Sequence, residues 1–158
     1  QGIQPIMSRN YGVGNHRNIQ LILRYALITM LILSVLVYMG VFLGAEQIAA
    51  IFNSERNELL QTIAVEGLKL YFIACPFAGF NIIISIYFTS TEYPIPANII
   101  SILRGFFVII PMAFLLSSIA QITGVWCAFP ATELLVTIVG VIFFVMSKKL
   151  RKRRVRYE

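Results

Sequence analysis

From Tyr25 to Ala45 the chain carries no Lys, Arg, Asp or Glu, and the same holds from Leu70 to Thr91 and from Gly105 to Thr132. A helix needs about 20 such residues to cross roughly 30 Å of hydrocarbon, so the first two runs each predict one span. The third is too long for one. Gln121, Thr123 and Gly124 break it, so it reads as the end of one helix, a turn, and the start of another reaching Ser147. Four spans are predicted, near 24–45, 70–91, 96–118 and 125–147. Connections as short as 92–95 and 119–124 make neighbouring helices antiparallel hairpins. The expected fold class is all-α: a polytopic membrane helix bundle of four transmembrane helices plus the end of a preceding helix.

Between the first two spans the pattern changes. Leu59, Leu60, Ile63, Ala64, Gly67 and Leu68 recur at helical spacing opposite Glu58, Gln61, Thr62 and Glu66, which predicts an outward amphipathic helix at 55–68 that lies at the interface and turns into the second span, N-capped by Asn53 or Ser54. Residues 1–20 mix Gly2, Pro5, Gly12 and Gly14 with Ser8, Asn10 and Asn15, a turn-rich composition that reads as a helix end and a cytoplasmic loop. The chain opens at Gln1 with no starting methionine and no cleavable signal before the first span, so it reads as a piece with helices upstream.

Composition sharpens this picture. The 158 residues are 58% hydrophobic and 13% charged, with mean hydropathy +0.81, far from the average soluble domain. The net charge of +6 is a topology signal, since Lys and Arg concentrate in cytoplasmic loops. Lys148, Lys149, Arg151, Lys152, Arg153, Arg154 and Arg156 follow the last span, so 148–158 reads as a basic cytoplasmic tail. Arg9, Arg17 and Arg24 then precede the first span on the same side, and Glu46, Glu55, Glu58 and Glu66 dominate the outward loop. The protein is expected to be multi-pass, with its carboxyl terminus in the cytoplasm. Membrane lipid is an expected partner, anionic lipid a secondary one for the tail, and nucleic acid is not.

Residues that a lipid-facing surface rejects mark the interior. Asn81, Ser85 and Thr89 repeat every four residues in the second span. Asn98, Ser101 and Gly105 form a shorter face in the third, and Trp126, Pro130, Glu133, Thr137 and Gly140 follow helical spacing in the fourth. Asn81, Ser85, Thr89, Thr137 and Tyr71 are the candidate cavity-lining residues, set against ordinary packing of small polar side chains. Gly40 and Gly44 form a GxxxG pair read as a packing seam. Pro76, Pro111 and Pro130 lie within spans, where each removes a backbone hydrogen bond and can kink its helix.

Glu133 is the sharpest single residue. It lies nine residues past Gly124, hence roughly 13 Å below the outer end of its helix. A carboxylate near mid-membrane is costly unless protonated, paired or hydrated. It is therefore the candidate for carrying a proton or holding a cation. The competing reading places it in the first turn of a helix restarted at Pro130, complementing exposed N–H groups. Arg104 is its candidate partner, although a snorkelling path to the cytoplasm competes.

Catalytic residues, a metal site and cofactors are not expected. His16 stands in a loop away from Cys or Glu, and no phosphate-cradling glycine motif occurs. Cys75 and Cys127 lie inside spans at similar depth and read as free thiols.

The segment Gly2-Ile3-Gln4-Pro5-Ile6, followed by Asn10-Tyr11-Gly12-Val13-Gly14 and Arg17, resembles the end of the eighth helix and following loop of multidrug and toxic compound extrusion (MATE) transporters. The resemblance continues through Pro76 and Asn81, Arg104 with Pro111, and Gly124-Val125-Trp126 to Phe129-Pro130. Gln4, Pro5, Tyr11, Gly12, Arg104, Pro111, Trp126 and Pro130 are thus structural motif positions by this likeness. It implies that the four spans are the ninth to twelfth of twelve helices, part of the carboxyl-terminal six-helix lobe. It further implies export of cationic amphipathic drugs or toxic compounds in exchange for Na⁺ or H⁺ at the plasma (inner) membrane, with the amino-terminal lobe as partner. Ser8-Arg9 departs from the small-polar-aromatic pair of the family, and no family ion-site carboxylate is carried over, the chain having no Asp. Two alternatives stay open: a related lipid-linked oligosaccharide flippase, and a non-transporting membrane scaffold or assembly subunit.

Overall fold

The computed structural model describes residues 2–154, with side chains through 149; Arg156 and the end of the basic tail lie outside the described residues. The elements are α1 (Ile3–Gly12), α2 (His16–Phe52), α3 (Glu58–Tyr71), a 3₁₀ turn (Phe72–Ala74), α4 (Cys75–Ser90), α5 (Pro94–Ile102), a π-helical turn (Leu103–Phe107) and α6 (Ile109–Arg154).

Helix ends follow local chemistry. Asn15 caps α2 by accepting from the Asn18 N–H at 3.2 Å. Asn57, rather than Asn53 or Ser54, caps α3, accepting from the N–H groups of Leu59 and Leu60 at 3.0 and 3.3 Å. Asn53 instead closes the preceding turn: its amide donates to the Asn57 carbonyl at 2.8 Å and its Oδ1 accepts from the Asn57 N–H at 3.1 Å. Glu58 in the first turn of α3 and Lys69 in the last match the helix dipole.

One expectation about these elements is corrected. The interval 1–20 is mostly helix, with its loop confined to 13–15. Met7 of α1 is fully buried in a cluster with Ile19, Leu23, Tyr87 and Phe88, and Ser90 Oγ donates to the Gln4 carbonyl at 3.5 Å. The helix expected at 55–68 begins at Glu58. It enters α4 through the single 3₁₀ turn, giving one apolar stretch of 33 residues from Glu58 to Ser90. Pro76, at the start of α4, lacks the N–H that would bond the Phe72 carbonyl, and the backbone tightens there.

The last apolar stretch, Pro94–Lys149, has 56 residues and folds back on itself. Ala120 and Gln121 leave helical geometry, Gln121 with φ 49° and ψ −126°, and Gly124 is pressed against the Leu116 carbonyl, where a Cβ would overlap it. Eight residues of straight helix would separate those two by about 12 Å. The stretch therefore supplies two crossings, and with α2 and α3–α4 the bundle has four.

Contacts fix both ends. At one end Gln61 Nε2 donates to the Glu46 carbonyl at 2.9 Å and the Trp126 indole lies on Gly67. At the other, Phe144 meets Tyr87 edge-on at 5.3 Å, near Ser90 and Gln4. Another close crossing seam is Gly79 of α4 against Met30 and Ser34 of α2. Among the described residues the GxxxG pair packs against no other helix: a Cβ added at Gly40 would meet nothing within 4 Å, and one at Gly44 only Ile48 of its own helix.

Candidate functional site

Midway between those ends, three elements meet at Glu133. It lies seven residues beyond Trp126 and eleven before Phe144 on α6, and its side chain is 1% exposed. Its Oε1 accepts from Arg104 Nε at 3.0 Å and Nη2 at 2.6 Å. Its Oε2 accepts from Asn81 Nδ2 at 2.7 Å, and the same amide nitrogen stands 3.0 Å from the Glu133 carbonyl. Thr137 Oγ lies 2.8 Å from that carbonyl and 3.2 Å from Asn81 Oδ1. Arg104 and Glu133 are 29 residues apart, so their contact independently requires the hairpin at 120–121.

The network answers what a buried carboxylate demands. Three donor contacts satisfy it and a guanidinium compensates its charge, which is how an ionised group persists in a low-dielectric interior. Arg104 is thus turned inward to Glu133 and not snorkelled to the cytoplasmic side. Two of its nitrogens converge on one oxygen, while Oε2 is left to Asn81; this differs from the parallel two-bond fork of the strongest arginine–carboxylate pairs. Glu133 does not sit in the first turn of a helix restarted at Pro130, because Pro130 lies inside a continuous helical arm.

The other candidate positions divide. Asn81, fully buried, and Thr137 belong to the network. Ser85 is half-buried and Thr89 exposed, and Thr89 Oγ donates to the Ser85 carbonyl of its own helix at 3.0 Å; neither reaches Glu133. Tyr71 stacks on Phe129 at 4.6 Å, one turn above Glu133. Of the motif positions, Tyr11 packs edge-on to His16 at 6.0 Å, while Pro5, Gly12 and Pro111 are exposed. Cys75 and Cys127 are free thiols.

Sequence reasoning missed Thr132, fully buried with no hydrogen-bond partner among the described residues. The run Ala128, Thr132, Val136 and Gly140, four residues apart and all buried, is the signal that could have found it. Gly140 brings α6 into ordinary contact with Ile100, Asn81 and Ile84, seating the network against α4 and α5.

A solved structure, described as the inward-facing conformation of a multidrug resistance MATE family transporter of the MOP superfamily, superposes with a TM-score of 0.87 over 95% of this chain at 19% identity. At that identity the likeness establishes the fold. The chain spans 35% of that transporter's length. No curated protein matches in sequence. The family model MatE matches residues 1–115, well over half of the 158, and with the shared fold this shows that the chain belongs to the MatE family.

Proposed function

We propose that this chain is part of the carboxyl-terminal lobe of a secondary active exporter, one that moves cationic amphipathic compounds outward across the plasma (inner) membrane in exchange for Na⁺ or H⁺. Glu133 is the coupling group of this lobe. The observation that carries the reading is a buried carboxylate at mid-bundle, held by side chains from two other helical elements. Ionisable residues inside membrane bundles mark ion and substrate pathways by default. The remaining lobe and surrounding lipid are its partners, and both described ends lie on the cytoplasmic side.

The flippase alternative is disfavoured by charge. Such a protein needs free basic groups facing its anionic cargo, and Arg104 is neutralised by Glu133. A scaffold would need the pair only as a strut. The test is Glu133→Gln in the full-length transporter. Ion-driven dye efflux is expected to fall to the uncoupled background with membrane insertion intact, and normal efflux in that variant removes Glu133 from the mechanism.

A further inference from the structure

Arg104 and Glu133 are unequally placed. The carboxylate is sealed at 1% exposure, whereas the Arg104 side chain is 24% exposed. Arg104 also stands in the π-helical turn Leu103–Phe107, where the Val108 N–H reaches the Leu103 carbonyl at 2.9 Å. Such a turn holds one residue more than the α-helix and, when it reverts, rotates the downstream helix by about 100°. A Cβ added at Gly105, beside Arg104, would meet nothing within 4 Å among the described residues, so within this chain the turn has room to change.

If Arg104 swings away, the site left behind is rich in oxygen. The Glu133 carboxylate and main-chain carbonyl, Asn81 Oδ1, Thr137 Oγ and the Phe77 carbonyl, the last 3.5 Å from Thr137 Oγ, all lie within one hydrogen-bonded cluster. Hard cations take oxygen ligands of these kinds. Among the described residues Arg104 is the one cation paired with Glu133.

We propose that Arg104 is a tethered counter-cation: it neutralises Glu133 in the described state and exchanges with Na⁺, which takes its place on the Glu133, Asn81 and Thr137 oxygens. The inference rests on Glu133 being the coupling carboxylate. One positive charge replaces another, so the buried carboxylate is never left alone at the cost an unpaired buried charge carries. Release of Arg104 into its half-open environment lets the π-turn reset, which ties cation entry to a movement of the α5–α6 hairpin.

The test is equilibrium binding of radioactive Na⁺ to the purified full-length transporter, the relevant component being the one lost in Glu133→Gln. Arg104→Gln removes the competitor and is expected to tighten that component by about tenfold, within the usual range of coupling between sites. Arg104→Lys, which keeps the charge and supports folding if the Gln variant does not, is expected to tighten it to a smaller degree. A Glu133-dependent component that is unchanged or weakened in both variants overturns the counter-cation while leaving Glu133 as coupling group. No Glu133-dependent Na⁺ component in any background overturns this proposal as well, and loss of efflux in Glu133→Gln under a proton gradient would then show the coupling reading surviving it.

Discussion

Removal of single members should rank the network. Asn81→Leu strips Oε2 of its donor inside a dry site, and an unsatisfied buried acceptor costs about 1–3 kcal/mol. Thr137→Val removes an interhelical hydroxyl contact of the kind that averages about 0.6 kcal/mol in membrane proteins. Arg104→Leu leaves Glu133 buried without its counter-charge, where breaking one side of a pair costs about 3–5 kcal/mol. Unfolding in detergent should therefore give losses in the order Arg104, Asn81, Thr137. Arg104→Leu combined with Glu133→Leu should recover much of the single-variant loss, because two apolar groups can replace a buried pair at little cost. Equal losses for Arg104→Leu and Thr137→Val would mean that the pair contributes no more than a neutral contact. The periodicity of Asn81, Ser85 and Thr89 suggested one face, yet only Asn81 reaches Glu133. Four residues advance a helix by about 400°, so the stripe drifts about 40° per step; two steps carry Thr89 to the exposed side.

The long apolar helices were the most legible feature of this sequence, because a charge-free run of membrane length has few alternatives; their ends were less so, since α2 runs from His16 to Phe52, well past its charge-free stretch. The turn between the last two spans was marked by Gly124, and the close approach to the Leu116 carbonyl gives that mark a mechanism. Gly124→Ala would drive a Cβ into backbone, so it should lower stability by about 2 kcal/mol, in the range of overpacking substitutions; thermal unfolding in detergent checks it, and an unchanged midpoint would mean that the turn can open around the added methyl. The π-turn at Leu103–Phe107 had no readable signal: Leu-Arg-Gly-Phe-Phe is compatible with plain α-helix, and tertiary contact decides the extra residue. For the same reason the choice between a snorkelled and a paired Arg104 stayed open. The rotation of each helix about its axis sets it, and neither spacing nor depth encodes that rotation. The docking of α1 was likewise hidden, since Met7 sits among Gln, Ser, Arg and Asn and becomes core only because Phe88 and Ile19 meet it.

Across the whole molecule the exposed apolar surface is large. In the most apolar window of α2 only 6% of residues are buried within this chain, while Leu31, Ile32, Leu33, Leu36 and Met39 face outward at about half exposure or more. A surface of that kind in water would aggregate; in lipid it is the covering a span needs. Four crossings place the α2–α3 tip and the end of α6 on opposite faces of the membrane, and the basic residues at 148–154 predict the second face to be cytoplasmic. With Cys75 and Cys127 replaced by Ala, a single cysteine at Arg56 should react with a membrane-impermeant maleimide applied outside intact cells. A cysteine at Lys149 should react only after the membrane is opened. Labelling of both from outside would mean an odd number of crossings, which would require Ala120–Gln121 to be a kink within one long helix. The 2.6 Å contact between Arg104 and Glu133 could not then form, because 29 residues of unbroken helix would hold the two more than about 40 Å apart.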